Sequence, residues 1–169
     1  LIPELMEMGF AIALPCGQAG ATWWDPVGQG GILDIVAALK TDFSIDDSRV
    51  LVVGFSDGAS GAMGLMMLSP SPFAGYLAFS GHPGVAAIDG GRATYLTSLA
   101  SRPGIASHTD RDGLYPASEM APAIELARAG FEVSPRLADF LVRIRQYSRL
   151  DDNPATAAYF YPGGEPLPA

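Results

Sequence analysis

Apolar positions along the chain fall into short runs that alternate between two periods. Leu5, Met6 and Met8 read as the end of a helix stopped by Gly9, and Phe10-Ala11-Ile12-Ala13-Leu14 as a short buried strand ending at Pro15. Ile32, Ile35, Val36 and Leu39 then carry a helical spacing that closes near Lys40. Val50-Leu51-Val52-Val53 is a valine-rich run of the kind that forms a parallel strand covered on both faces. It breaks at Gly54-Phe55-Ser56-Asp57-Gly58, and the small-residue stretch from Ala59 to Met66 continues as a helix.

The second half repeats the rhythm. Ser69-Pro70-Ser71-Pro72 interrupts, Phe73 to Ser80 reads as a strand, and Gly81-His82-Pro83-Gly84 is its loop. A connection with a short helix spans Gly90 to Ala100, and Arg102 to His108 is the next strand. A polar turn, Thr109 to Pro116, leads into a helix over Ala117 to Ala129. Phe131-Glu132-Val133 is a brief strand, and Pro135 starts a helix with Leu137, Phe140, Leu141, Ile144 and Tyr147 as its apolar stripe. Strands alternating with helices predict an α/β fold, a mostly parallel sheet flanked by helices with right-handed crossovers. Residues 1–150 are expected to form one domain and residues 151–169, rich in proline and glycine, an irregular tail. The opening in mid-helix suggests the interior of a larger fold.

Composition narrows the function. A formal charge of −8 over 169 residues argues against a nucleic-acid partner, because phosphate binding needs a basic face. No apolar run approaches the length of a membrane span. The lone Cys16 excludes an internal disulfide and leaves the compartment open. No metal cluster is expected, since His82 and His108 lack ligand spacing with Cys16. Gly28-Gln29-Gly30-Gly31 lacks the preceding strand and lysine of a phosphate-binding loop, so no cofactor is expected. Trp23-Trp24 reads equally as a pocket lining or as a wedge holding its loop to the core.

The chemistry gathers at strand ends, where parallel sheets place their ligands. A strand, G-x-S-x-G and a helix form the nucleophile elbow of serine hydrolases. Gly54 and Gly58 would supply room for the tight turn, Ser56 its exposed hydroxyl, and the amide of Asp57 a donor for developing negative charge. A purely structural turn is the alternative.

On these residues the chain resembles the serine esterases of the α/β-hydrolase superfamily, nearest to the phospholipase/carboxylesterase and polyhydroxybutyrate-depolymerase-like enzymes. Trp23-Trp24-Asp25, Asp46 to Val50, Gly54 to Gly58, Phe79-Ser80-Gly81 and Asp112 to Pro116 carry the likeness, which extends from Glu4 to about Ile144. It implies ester hydrolysis through an acyl-serine on Ser56, a small ester as substrate, and Asp112 as the acid in preference to Asp110. It also implies that the first strands of the fold, with the second oxyanion amide, lie outside these residues. The acid should be followed by a histidine, yet His82 and His108 both precede Asp112. His82, after the strand beside the elbow, is the first candidate for a relocated base; His108, which ends the acid strand, is a second and reads more as a structural residue. The competing expectation is a hydrolase-like module without catalysis, used for binding or assembly. Whether an oligomer or another partner completes the site is left open.

Overall fold

The computed structural model describes residues 2–86, 95–109, 111–115 and 156–158. Helix α1 (Ile2–Glu7) is followed by Gly9 in the left-handed region, φ +82°, which ends it as the sequence predicts. Helix α2 (Pro26–Asp42) begins earlier than its apolar period suggests. Asp25 caps it by accepting the Gly28 amide at 2.8 Å, with Pro26 in the first turn. The run Gly28 to Gly31 is therefore helix, not a phosphate-binding loop.

Strand β1 (Leu51–Phe55) leads through one residue into helix α3 (Asp57–Leu68), followed by β2 (Gly75–Phe79) and β3 (Gly104–Thr109). A 3-10 turn, Leu96–Ser101, precedes β3. The three strands are parallel in the order β1-β2-β3, with Leu51 opposite Gly75 and Tyr76 opposite Gly104. A short strand β4 (Thr156–Ala158) joins β3 antiparallel, so the stretch expected to be irregular contributes a sheet edge.

Helix α3 is the centre of the core. Residues 59–67 are all buried, on every side of the helix, which fits its lack of a polar face. Met63, Leu65 and Met66 pack with Phe73, Tyr76, Ala78, Leu99 and Ala106. Burial of each leucine, methionine or phenylalanine side chain among these contributes about 1.5–3 kcal/mol. Small residues let neighbours approach closely: a Cβ on Gly61 would overlap the Trp23 backbone and side chain. Trp24 is buried with Val85 and Ala86, and Trp23 and Tyr115 flank them. The tryptophan pair is thus a wedge between the loop, α3 and the β2 loop.

Two expectations need correction. Residues 10–14 form no strand; Leu14 is largely exposed, and the run finds no partner strand among the described residues. Strand β1 is covered on one face only: Val52 joins the core, while Val53 is 40% and Phe55 72% exposed. Within the described sheet β1 pairs along one edge, with β2, and lacks the cover that buries Leu77 and Ile105. The expected strand at 131–133 and the helices at 117–129 and from Pro135 lie outside the described residues.

Candidate active site

Ser56 sits alone between β1 and α3 with φ 54° and ψ −120°, a conformation that non-glycine residues adopt only under strain. The surroundings force it. The Ser56 amide donates to the Phe79 carbonyl at 2.9 Å, prolonging the β1–β2 ladder by one step. Its carbonyl already accepts from Ala59 (2.9 Å) and Ser60 (3.1 Å), the first bonds of the helix. Chain direction therefore reverses within a single residue. The amides of Asp57 and Gly58 are left at the open N-terminus of α3, where the helix dipole favours negative charge.

The flanking glycines divide the work unequally. A Cβ on Gly54 would overlap the Gly58 carbonyl, whereas one on Gly58 meets nothing within 4 Å. The expectation that both make room for their own side chain holds for Gly54 alone; Gly58 contributes the close backbone. Gly81, after β2, likewise leaves no space for a Cβ beside Ala59 and Ser60.

Because the strands are parallel, Asp112, three residues beyond β3, stands at the same end of the sheet as Ser56. One carboxylate oxygen accepts the amides of Leu114 and Tyr115, both at 2.9 Å. The Tyr115 and Leu114 amides hold the carboxyl below the usual aspartate range. Asp110 lies outside the described residues.

Both histidines meet the same tyrosine. The His82 ring stacks on Tyr115, with centroids 5.4 Å apart, and its Nδ1 accepts the Gly84 amide at 3.0 Å. A neutral His82 consequently carries its proton on Nε2. The His82 backbone amide donates to the buried Ser60 hydroxyl at 3.0 Å. His108 is fully buried; its Nδ1 faces the Tyr115 carbonyl at 3.2 Å, and burial pushes its imidazole pKa down. Among the described residues, no group of three His, Cys, Asp or Glu side chains could share a metal ion. No described helix is long and apolar enough to cross a membrane.

The residue that the sequence passed over is Ser80. It too has φ 54°, and it follows β2 as Ser56 follows β1. The repeated Phe-Ser pair at the two strand ends (Phe55-Ser56, Phe79-Ser80) was the available signal.

A parallel sheet packed on a helix that springs from a strained strand end is part of the α/β-hydrolase fold. A solved structure of a thermostable esterase shares it with a TM-score of 0.53 and 17% identity, over 63% of this chain and 29% of that one. The phospholipase/carboxylesterase family profile matches residues 30–132, more than half of the chain, and the chain belongs to that family. It spans under a third of the thermostable esterase's length. No curated protein matches.

Proposed function

We propose that this chain is a serine carboxylic-ester hydrolase with Ser56 as nucleophile, the junction at Ser56 being its nucleophile elbow. The observation that carries the reading is the left-handed φ of Ser56 between a parallel strand and a buried helix. Strain of this kind gathers at functional sites because it aims a side chain that regular structure would direct elsewhere. In the reaction, Ser56 Oγ adds to the carbonyl carbon of a small ester while its proton passes to a base. The carbonyl electron pair moves onto oxygen, facing the Asp57 amide and the N-terminus of α3. Collapse expels the alcohol with a proton and leaves an acyl-serine. Water repeats the addition, releasing the acid and restoring the hydroxyl. Asp112, held ionised by its turn amides, is the group that orients an imidazole and stabilises its protonated form.

The imidazole sets the rate. His82 uses Nδ1 as an acceptor, the reverse of the tautomer in which a carboxylate holds Nδ1–H and frees Nε2 to take a proton. That arrangement supports a structural His82. With no histidine after Asp112, turnover by these 169 residues falls by a factor on the order of 10⁶ from that of a complete triad. The same observation favours, as a second reading, a hydrolase-like module that binds without catalysis.

A serine-directed phosphonate probe and an activated short-chain ester separate the two. The hydrolase reading expects slow, stoichiometric labelling at Ser56, lost in Ser56→Ala, with ester turnover close to background. Absence of labelling at Ser56 in the folded chain would leave the binding module. Robust turnover lost in both Ser56→Ala and His82→Ala would make His82 the base.

A further inference from the structure

Of the two histidines, His108 is the one with no exposed surface, and the reaction outlined above makes no use of it. It shares a face of β3 with Ala106, which packs in the core around α3. Its Nδ1 lies 3.2 Å from the Tyr115 carbonyl oxygen. A carbonyl only accepts, so in the neutral ring this nitrogen carries the proton. The lone pair is then on Nε2, which is buried and meets no donor among the described residues. A buried acceptor left without a donor costs stability. A leucine would fill the place without that cost, so what the imidazole adds here is its Nδ1–H bond.

That bond lands on the turn that bears Asp112. Tyr115 is held at both of its main-chain groups. Its amide donates to Asp112 Oδ1 at 2.9 Å, and its carbonyl accepts from His108. The Leu114 amide donates to the same carboxylate oxygen. These two amides close the turn on itself and move with it, so they cannot fix it relative to the sheet. The start of the turn is tied to β3 by the Asp112 amide, which donates to the Thr109 carbonyl at 3.2 Å. Its far end is tied by His108, seven residues before Tyr115 and itself part of β3. The Tyr115 ring meets a second element, stacking on His82 in the loop after β2.

We propose that His108 is a positioning residue whose Nδ1–H, fixed in β3, holds the Tyr115 carbonyl and so sets where the turn presents the Asp112 carboxylate at the sheet end that carries Ser56. This rests on the reading of Asp112 as the acid. The two histidines then carry opposite tautomers, Nδ1–H at His108 and Nε2–H at His82, whose Nδ1 accepts the Gly84 amide.

The test begins with nitrogen NMR of the imidazoles in the native full chain at neutral pH. The His108 ring, assigned by its loss in His108→Asn, is expected to carry its proton on Nδ1; a proton on Nε2 would overturn the proposal. Amide hydrogen exchange of Leu114 and Tyr115 is then measured relative to Ser56, whose amide bond to the Phe79 carbonyl follows the sheet as a whole. His108→Leu keeps an apolar filling and removes the donor, and the two turn amides should exchange about tenfold faster relative to Ser56. His108→Asn sets an amide N–H where Nδ1 stood and is expected to keep the native ratio. An unmoved ratio in His108→Leu would overturn the proposal, as would an equal rise in both variants, which would trace to lost ring volume. If His108→Leu fails to fold, the tautomer and the ratio in His108→Asn decide. Phosphonate labelling of Ser56 is read in parallel on the native chain. Labelling with an Nε2–H tautomer or an unmoved ratio sinks only the role of His108, and a moved ratio without labelling sinks only the hydrolase reading.

Discussion

Gly54 and Gly58 pass so close that a side-chain carbon on Gly54 would occupy the place of the Gly58 carbonyl. The obstacle is main chain, which cannot swing aside as a side-chain tip does. Gly54→Ala should therefore cost at least the 1–3 kcal/mol usual for overpacking, at roughly the upper end. Gly58→Ala, which points into open space at the start of α3, should stay within about 0.5 kcal/mol of the native chain. Urea unfolding of the two variants checks the asymmetry.

The backbone of Ser56 carries a strain of about 1–3 kcal/mol that glycine would not feel. Ser56→Gly is expected to be more stable than Ser56→Ala by about 1 kcal/mol, although both lose the hydroxyl. Thermal melts of the pair measure the strain directly. Equal stability would mean that the turn relaxes once the side chain is gone.

His108 gives the fold a pH dependence of defined sign. Burial lowers its pKa in the folded chain, so the neutral ring is favoured there. Its stabilising contribution is complete above the unfolded value of about 6.5 and is lost as pH falls below it toward the folded value. Stability of the native chain should decline as pH drops from about 6.5 to about 5, ahead of carboxylate titration. His108→Leu should be less stable near neutrality, its Tyr115 contact gone, and flatter across that window. Chemical denaturation at a series of pH values tests both statements.

His82 is expected to matter for stability and not for the reactivity of Ser56. Its replacement by Ala removes the stack on Tyr115 and the acceptor for the Gly84 amide, a loss of about 1 kcal/mol. Phosphonate labelling of Ser56 should proceed at the native rate in the folded variant. A drop of tenfold or more would place His82 in the chemistry.

The parts legible in the sequence were those fixed by local rules. Valines before Gly54, small residues after Gly58, and Gly9 closing α1 each state their structure through their own backbone preferences. The start of α2 was written equally plainly in Asp25-Pro26, but glycines at 28, 30 and 31 masked it, because helix propensity is weak beside a cap and a packed face. What could not be read was non-local. Residues 10–14 have a strand's composition, and only a neighbouring strand could have made them one. Likewise, the exposure of Phe55 follows from what covers the sheet, which no window of sequence around it contains. Within the site, Ser56 was visible from its flanking glycines. Ser80 was not, because its positive φ comes with a bond to the Ser107 carbonyl of β3, which lies far along the chain.

The pairings of Leu51 with Gly75 and of Tyr76 with Gly104 also set an order of events. Each closes a long loop before its ladder returns any bond, which makes parallel sheets slow to assemble. Ser56, Ser80 and Asp112 all lie beyond the last pairs of these ladders, so they share one sheet end only once both crossovers have docked. During refolding the hydroxyl of Ser56 remains that of an ordinary exposed serine until the final step. Under the proposed function, labelling of Ser56 by a phosphonate is expected to serve as a clock for completion of the sheet, rising with the slowest folding phase and absent from every earlier one.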